Sequence, residues 1–229
     1  MIRHTLYNYT LKKWWVYIAV SASLLISTVA ASRFLVDKLY FFMMSGNTGL
    51  DVETDQIDIP IRWISYWIAI LLGNIAISNR KKEENEVQYF VKSEKRTKWW
   101  NATFIATVVS AIGMYALIVL SFEVTEVAIS AQGFRSVYLL LWLLNIITIM
   151  LIMRLVEIKY NSVMALMAAL VFVGFSVFVN DSFLLLDSTM MVRVMEYGVF
   201  DVIKNVITNV VIILGVYLLG YSYVKRMEW

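Results

Sequence analysis

Six long apolar stretches alternate with polar or charged connections along the whole of this chain. A helix needs about 20 apolar residues to cross roughly 30 Å of hydrocarbon, and each stretch has close to that length. The runs are continuous in Leu, Ile, Val, Ala and Met and lack the strict alternation of a membrane barrel. The pattern therefore predicts an all-α integral membrane protein, a single transmembrane domain over residues 1–229, with spans near 14–33, 61–78, 99–121, 137–153, 163–180 and 203–223.

Positive charge is distributed unevenly over the connections between these spans. With the N-terminus placed inside, 14 of the 20 Lys and Arg residues fall on the inner side, whereas 11 of the 17 Asp and Glu residues fall on the outer side. Lys and Arg are retained in the cytoplasmic loops of membrane proteins. We therefore predict that both termini lie in the cytoplasm and that the protein is a multi-pass protein of the cell membrane.

Composition removes several classes of function. The chain is 60% hydrophobic and 16% charged, and its mean hydropathy is +0.70. Its net charge of +3 is spread over several loops, so we expect no nucleic-acid partner. Cys is absent and His4 is the only imidazole, so we expect no metal site. The sequence lacks the combinations of catalytic residues that intramembrane proteases use, and it lacks a phosphate-binding glycine loop. We therefore do not expect an enzyme or an ATPase site in this chain.

Amides are the strongest polar groups inside the predicted spans, because no Asp, Glu, Lys or Arg lies deep in any of them. Ion-coupled transporters usually carry ionisable groups or broken helices at mid-depth, so the energy for any transport has to come from another subunit. The amides are candidates to line a substrate path. Alternatively they join helices by hydrogen bonds worth about 0.6–2 kcal/mol each. The four candidates are Asn74, Asn145, Asn205 and Asn209.

Two features predict how the helices pack. Small residues recur at every fourth position in the third span, at Ala102, Ala106 and Ser110, and such stripes let helices approach closely in lipid. The fourth span has bulky apolar residues on all sides, including the run 139–144, and we expect it to lie toward lipid.

The water-facing segments contain further candidate elements. Residues 1–13 predict an amphipathic helix at the cytoplasmic interface. Residues 79–98 predict a cytoplasmic helix, because acids come early and bases late, as the helix dipole favours. The outer segment 181–201 is too apolar for a free loop and predicts short helices at the membrane surface. The candidate partner-contacting residues of the cytoplasmic helix are Glu83, Glu84, Val87, Phe90 and Val91.

Three of these residues, Val87, Phe90 and Val91, form one narrow apolar face that can pack on a partner or on the membrane surface. The alternative is a solvated charged linker.

Arg154 and Glu157 lie one turn apart at the inner end of the fourth span. We predict a local ion pair between them, with contact to a cytoplasmic partner as the alternative.

The topology, together with the segment from Tyr89 to Trp100, in which basic residues precede paired tryptophans, resembles the permease subunits of ABC-2-type transporters. The likeness is to small bacterial permeases of peptide or bacteriocin export and self-protection. It implies a location in the bacterial cytoplasmic membrane, with residues 79–98 as the coupling helix. It also implies that a second permease copy or a related permease and ABC ATPase subunits join this chain, and that ATP and Mg are bound by the ATPase.

The substrate expected from this resemblance is hydrophobic or amphipathic, such as a peptide, a bacteriocin or a lipid. A competing interpretation is a non-transporting immunity or regulatory membrane protein that binds a peptide through the acidic outer segment from Asp51 to Asp58. An intramembrane enzyme is disfavoured, because the sequence lacks the combinations of nucleophilic or metal-binding residues that such an enzyme needs.

Overall fold

The computed structural model describes residues 60–78, 96–124, 132–179, 181 and 184–226. All regular structure in these residues is helical, which confirms the all-α prediction for this part of the chain. The predicted first span, the interfacial helix over 1–13 and the cytoplasmic helix up to residue 95 lie outside it. The helices are α1 (Ile61–Ser78), α2 (Arg96–Val124), α3 (Gln132–Lys159), α4 (Ser162–Phe178), a 3-10 turn (Asp187–Thr189), α5 (Met191–Glu196) and α6 (Val199–Arg226).

Three of the helices described are long and apolar enough to cross a membrane. Shorter apolar helices lie within α1 and coincide with α4. The long apolar helices indicate a membrane protein. Their segments are Arg96–Leu117 of α2, Val137–Lys159 of α3 and Val199–Arg226 of α6.

Local sequence signals explain several helix ends. Pro60 precedes α1, where its missing N–H costs nothing, and its carbonyl accepts the amide of Ile64 at 3.0 Å. The side chain of Asn161 caps α4 by accepting the backbone N–H of Met164 at 2.8 Å. Because only residues 160 and 161 separate α3 from α4, these two helices form a tight antiparallel hairpin.

Contacts between helices define two ends of the bundle. At one end, which we call the Thr189 end, the first turn of α1 and the second turn of α3 meet the segment between α4 and α6 through Trp63 and Tyr138. At the other end, the Trp100 end, the start of α2 packs against the last third of α6. The five long helices therefore alternate in direction along the chain.

The helix α3 lies at the centre of the bundle and contacts α1, α2, α4 and α6. The prediction that this span lies toward lipid is therefore wrong. Bulky residues on all sides suit a helix that packs against four others, although Leu140 remains 52% exposed. The helix α6 exposes more apolar surface, and its Leu218 is 63% exposed. The buried residues of α3 include Leu141, Trp142, Ile146, Ile149 and Met150.

Small side chains allow α2 to approach its neighbours. The predicted stripe of Ala102, Ala106 and Ser110 is buried, as close helix packing requires. Gly220 of α6 lies directly under the indole of Trp100, and a Cβ at this glycine would overlap the ring. The missing side chain of Gly220 therefore sets how closely α2 and α6 approach.

Candidate functional site: a buried loop and an amide network

The segment from Leu185 to Met190, between α4 and α6, is buried inside the bundle at the Thr189 end. We call it the buried loop. These six residues therefore lie inside the bundle and not at its surface, the place predicted for the whole of 181–201, whereas the 3-10 turn and α5 show that short helices do form in this segment. Leu186 adopts a left-handed conformation with φ of 74°, which is uncommon for a residue with a branched side chain. The surrounding contacts must hold this backbone in place.

Aromatic residues from two helices hold the buried loop through Thr189. The indole N–H groups of Trp63 and Trp67 donate to the Thr189 hydroxyl at 3.1 and 3.3 Å. The Tyr138 hydroxyl donates to the Thr189 carbonyl at 3.0 Å. Each of these large side chains is almost fully buried. Because buried indole and phenol groups need hydrogen-bond partners, Thr189 satisfies three donors from α1 and α3 at once.

A buried ion pair fastens the loop to the end of α4. The guanidinium of Arg193 contacts the carboxylate of Asp187, and both side chains are fully buried. The same guanidinium donates to the carbonyls of Ser176 and Val179 at 2.7 and 2.8 Å. It also donates to the carbonyl of Val177 at 3.2 Å. Arg193 therefore satisfies carbonyls that the end of α4 leaves without helical partners.

Tyr197 completes this cluster. Its hydroxyl donates to the second carboxylate oxygen of Asp187. Burial, together with the neighbouring carboxylate, raises the pKa of Tyr197, so the phenol stays neutral and remains a donor. Burial also raises the pKa of the Asp187 carboxyl, whereas the Arg193 guanidinium and the Tyr197 hydroxyl act in the opposite direction. The cluster is therefore a neutralised charge pair inside the protein.

Amides and hydroxyls form a continuous network beneath the buried loop. Asn145 of α3 accepts the backbone N–H of Leu186 at 2.9 Å and donates to the Ser188 hydroxyl at 2.7 Å. Ser188 in turn donates to Asn205 of α6 at 3.0 Å. One turn further along α6, Asn209 donates to Asn205 at 3.0 Å and accepts the hydroxyl of Thr148 at 2.6 Å. We call Asn145, Thr148, Ser188, Asn205 and Asn209 the amide network.

The structure brings together three of the four predicted amides. Asn145, Asn205 and Asn209 are each at most 1% exposed and lie in the amide network. Asn74 lies apart from them, near the far end of α1, and donates to the sulfur of Met153 at 3.4 Å. These contacts are the kind that join helices in a membrane. The role of the four amides in a substrate path stays a prediction.

The other predicted site residues fall in two groups. Arg154 and Glu157 form the expected ion pair, with 2.6 Å between the guanidinium and the carboxylate. They lie on α3, toward the Trp100 end. Their contact with a partner stays a prediction. The remaining partner-contacting residues lie outside the described part of the chain: Glu83, Glu84, Val87, Phe90 and Val91.

Sequence reasoning missed the role of Asp187, Arg193 and Ser188, which it placed in an outer loop. The available signal was composition, since segment 181–201 is too apolar for a free loop. The pairing of Asp187 with Arg193 was not readable, because the carbonyls that complete the guanidinium's hydrogen bonds come from the packed end of α4. Thr148 was missed because a lone threonine in an apolar helix usually bonds its own backbone.

The chemistry of this site is that of a closed polar interior. Its side chains donate and accept hydrogen bonds among themselves, and the residues that the structure describes contain no group of three His, Cys, Asp or Glu that could hold a metal ion. The arrangement therefore ties the buried loop to α1, α3, α4 and α6. Comparisons with protein-family models, with curated proteins and with solved structures find no match to this chain.

Proposed function

We propose that this chain is the membrane permease subunit of an ATP-driven ABC transporter that moves a hydrophobic or amphipathic substrate, such as a peptide, a bacteriocin or a lipid. The proposal includes six spans, cytoplasmic termini, a bacterial cytoplasmic membrane location, a second permease copy or related permease, and separate ABC ATPase subunits. The ATPase supplies the ATP and Mg sites, and this chain supplies none.

The observation that carries the proposal is how the interior charge is arranged. The ion pair of Asp187 and Arg193 is neutralised within the bundle and completed by Tyr197. The middle of every predicted span lacks Asp, Glu, Lys and Arg. A permease driven by protons or sodium normally presents an ionisable group that can exchange its ion at mid-depth. A bundle of this kind fits a transporter whose power comes from a separate ATPase.

The direction of the helices supports the same proposal. The starts of α2 and α4 and the ends of α1, α3 and α6 lie together at the Trp100 end. In the proposed topology this is the cytoplasmic end, so Arg154 and Glu157 would lie near the ATPase. The end of α1 and the start of α2 both lie at that end, as the proposed coupling helix between them requires.

Copurification tests the proposal. The tagged chain, extracted from its native membrane, should bring down a nucleotide-binding subunit.

Charge reversal of both Glu83 and Glu84, or Phe90→Ala, should uncouple ATP hydrolysis from transport in the reconstituted complex. The control is Glu196→Lys, which changes an exposed acid at the opposite end of the bundle. Unchanged ATPase binding and unchanged export in the two test variants would refute the permease assignment.

A second candidate is a non-transporting immunity or regulatory protein. The observation that favours it is the complete burial of the loop around Ser188, which closes the bundle at the Thr189 end. A protein that only binds a peptide needs no route through this region. The two candidates differ in one measurable property, since only the permease has to open the amide network during ATP hydrolysis.

A further inference from the structure

The helices α2 and α6 form a paired surface at the Trp100 end. The indole N–H of Trp100 donates to the carbonyl of Tyr217 at 2.9 Å, and the ring lies over Gly220. The two helices are antiparallel, so the first residues of α2 lie beside the last residues of α6. Lys98, two residues before Trp100, and Lys225, five residues after Gly220, therefore lie toward the same end of the helix pair.

Aromatic contacts define one outer side of this helix pair. The Tyr217 hydroxyl donates to the side-chain oxygen of Asn101 at 3.1 Å. The ring of Tyr217 lies 5.1 Å from Phe104 and 6.3 Å from Tyr221, measured between centroids. These residues lie beside the Trp100 contact and bridge the two helices. They form the floor of the shallow groove that two packed helices leave along one side of their contact.

Helical periodicity puts a lysine on each rim of that groove. Residues advance by about 100° each around a helix, so Lys98 shares the Asn101 side of α2 and Lys225 shares the Tyr221 side of α6. Both lysines are exposed. We call this surface the Lys98–Lys225 groove.

The groove changes from charged to aromatic to aliphatic along the helix axes. Below the lysines comes the aromatic floor, in which Tyr221 is 37% exposed. Below that, on the same sides, lie Leu218, Leu214 and Ile105, which are 63%, 56% and 41% exposed. The stretches 96–105 and 214–226 contain no acidic residue. Lysines above an apolar wall match the order of phosphate and acyl chain in a phospholipid.

We propose that the Lys98–Lys225 groove binds an anionic phospholipid, with its phosphate between the two lysines and an acyl chain along Leu218 and Leu214. The aliphatic wall decides between this ligand and an acidic protein, because a soluble partner would contact the lysines but would leave the leucines uncovered. The zwitterionic headgroup of phosphatidylcholine carries its own cation and gains less from the lysine pair.

The test uses the full chain purified in detergent and stripped of lipid. It is mixed with equal amounts of phosphatidylglycerol and phosphatidylcholine of matched acyl chains, and bound lipid is counted by native mass spectrometry. Wild type should prefer phosphatidylglycerol roughly tenfold or more, since each lysine near the phosphate adds to the attraction. The double variant Lys98→Gln with Lys225→Gln should bring the ratio near unity, and replacement of both by Arg should keep the preference.

The matched control is Lys159→Gln, which removes an exposed cation that lies over the Tyr160 ring at the end of α3, outside the groove. It should keep the preference of wild type. The proposal fails if wild type shows no preference, if the double Gln variant keeps it, or if Lys159→Gln loses it equally. It also fails if the double Gln variant retains phosphatidylglycerol but loses an acidic protein that copurifies with wild type. Size-exclusion chromatography and circular dichroism verify that each variant is folded.

Discussion

Asn145 and Ser188 are 43 residues apart in the chain, yet the amide of Asn145 donates to the Ser188 hydroxyl at 2.7 Å. The same side chain accepts the backbone N–H of Leu186 at 2.9 Å. One amide in the central helix thus satisfies both a backbone group and a side-chain group of the buried loop. Because Ser188 also donates to Asn205, the loop joins α3 to α6 through one of its own side chains.

We expect Asn145→Leu to lower the free energy of unfolding by about 1–3 kcal/mol, because the Leu186 N–H would stay buried without its acceptor. Asn74→Leu is the matched control. It removes only a long hydrogen bond to the Met153 sulfur and should cost less. Denaturant unfolding in detergent, followed by circular dichroism, measures both. An equal cost for the two variants would contradict the role given to Asn145.

We expect Arg193→Met to be more harmful than Asp187→Asn. Removal of the guanidinium leaves a buried carboxylate and the carbonyls of α4 without their donor, which typically costs about 3–5 kcal/mol. An Asn at position 187 keeps one oxygen that can accept from Arg193 and puts an amide NH2 where the Tyr197 hydroxyl now donates, so that hydroxyl has to turn and accept instead. Because the guanidinium also keeps its carbonyl partners at the end of α4, the cost should be nearer about 1–3 kcal/mol. Thermal unfolding in detergent ranks the two. The reverse order would show that Asp187, and not the α4 carbonyls, is the main partner of Arg193.

The close approach of α2 and α6 predicts opposite effects for two glycines in one helix. Gly220→Ala places a methyl group against the Trp100 ring and should cost about 1–3 kcal/mol through overpacking. Gly215→Ala meets no neighbouring atom within 4 Å and should be neutral or stabilising by up to about 1 kcal/mol, as alanine favours the helix. Unfolding of the two variants in the same detergent tests the difference. If Gly220→Ala proved as harmless as Gly215→Ala, Trp100 would have to move aside in the variant.

The absence of Cys from the chain makes a single introduced thiol a clean reporter of opening. Ser188→Cys should resist a membrane-impermeant thiol reagent at rest, because the loop is buried. If the chain is a permease, labelling should rise during ATP hydrolysis by the partner subunit. Glu196→Cys, at an exposed position, should label under all conditions. Unchanged protection of the thiol at position 188 during ATP hydrolysis would favour the non-transporting alternative.

The positions of the described helices were largely readable from the sequence. A span must be long and apolar wherever it lies, so residues 61–78 were predicted with the bounds that α1 has. The helices α2, α3 and α6 extend beyond their predicted bounds into flanking polar residues such as Arg96 and Arg226, because helical hydrogen bonding continues past the apolar part. The helix α4 ends at Phe178, two residues before its predicted end. The ion pair of Arg154 and Glu157 followed from helical spacing alone.

The arrangement of those helices was not readable. Lipid-facing and helix-facing surfaces in membranes are both rich in Leu, so the bulk of α3 did not show that it lies at the centre. The stripe of small residues in α2 was informative because close approach excludes large side chains. The buried loop depends on contacts between distant segments, such as Trp63 with Thr189, which no local pattern encodes.

The burial of Arg193 has a consequence for the biogenesis of the protein. A lone arginine at the centre of a membrane helix costs about 2.5–3.5 kcal/mol by insertion measurements. Its partners Ser176, Val179 and Asp187 take up that charge only once α4 is complete and the loop has turned back onto it. We therefore expect the apolar helices to insert before the loop docks, with this guanidinium at the water interface until then.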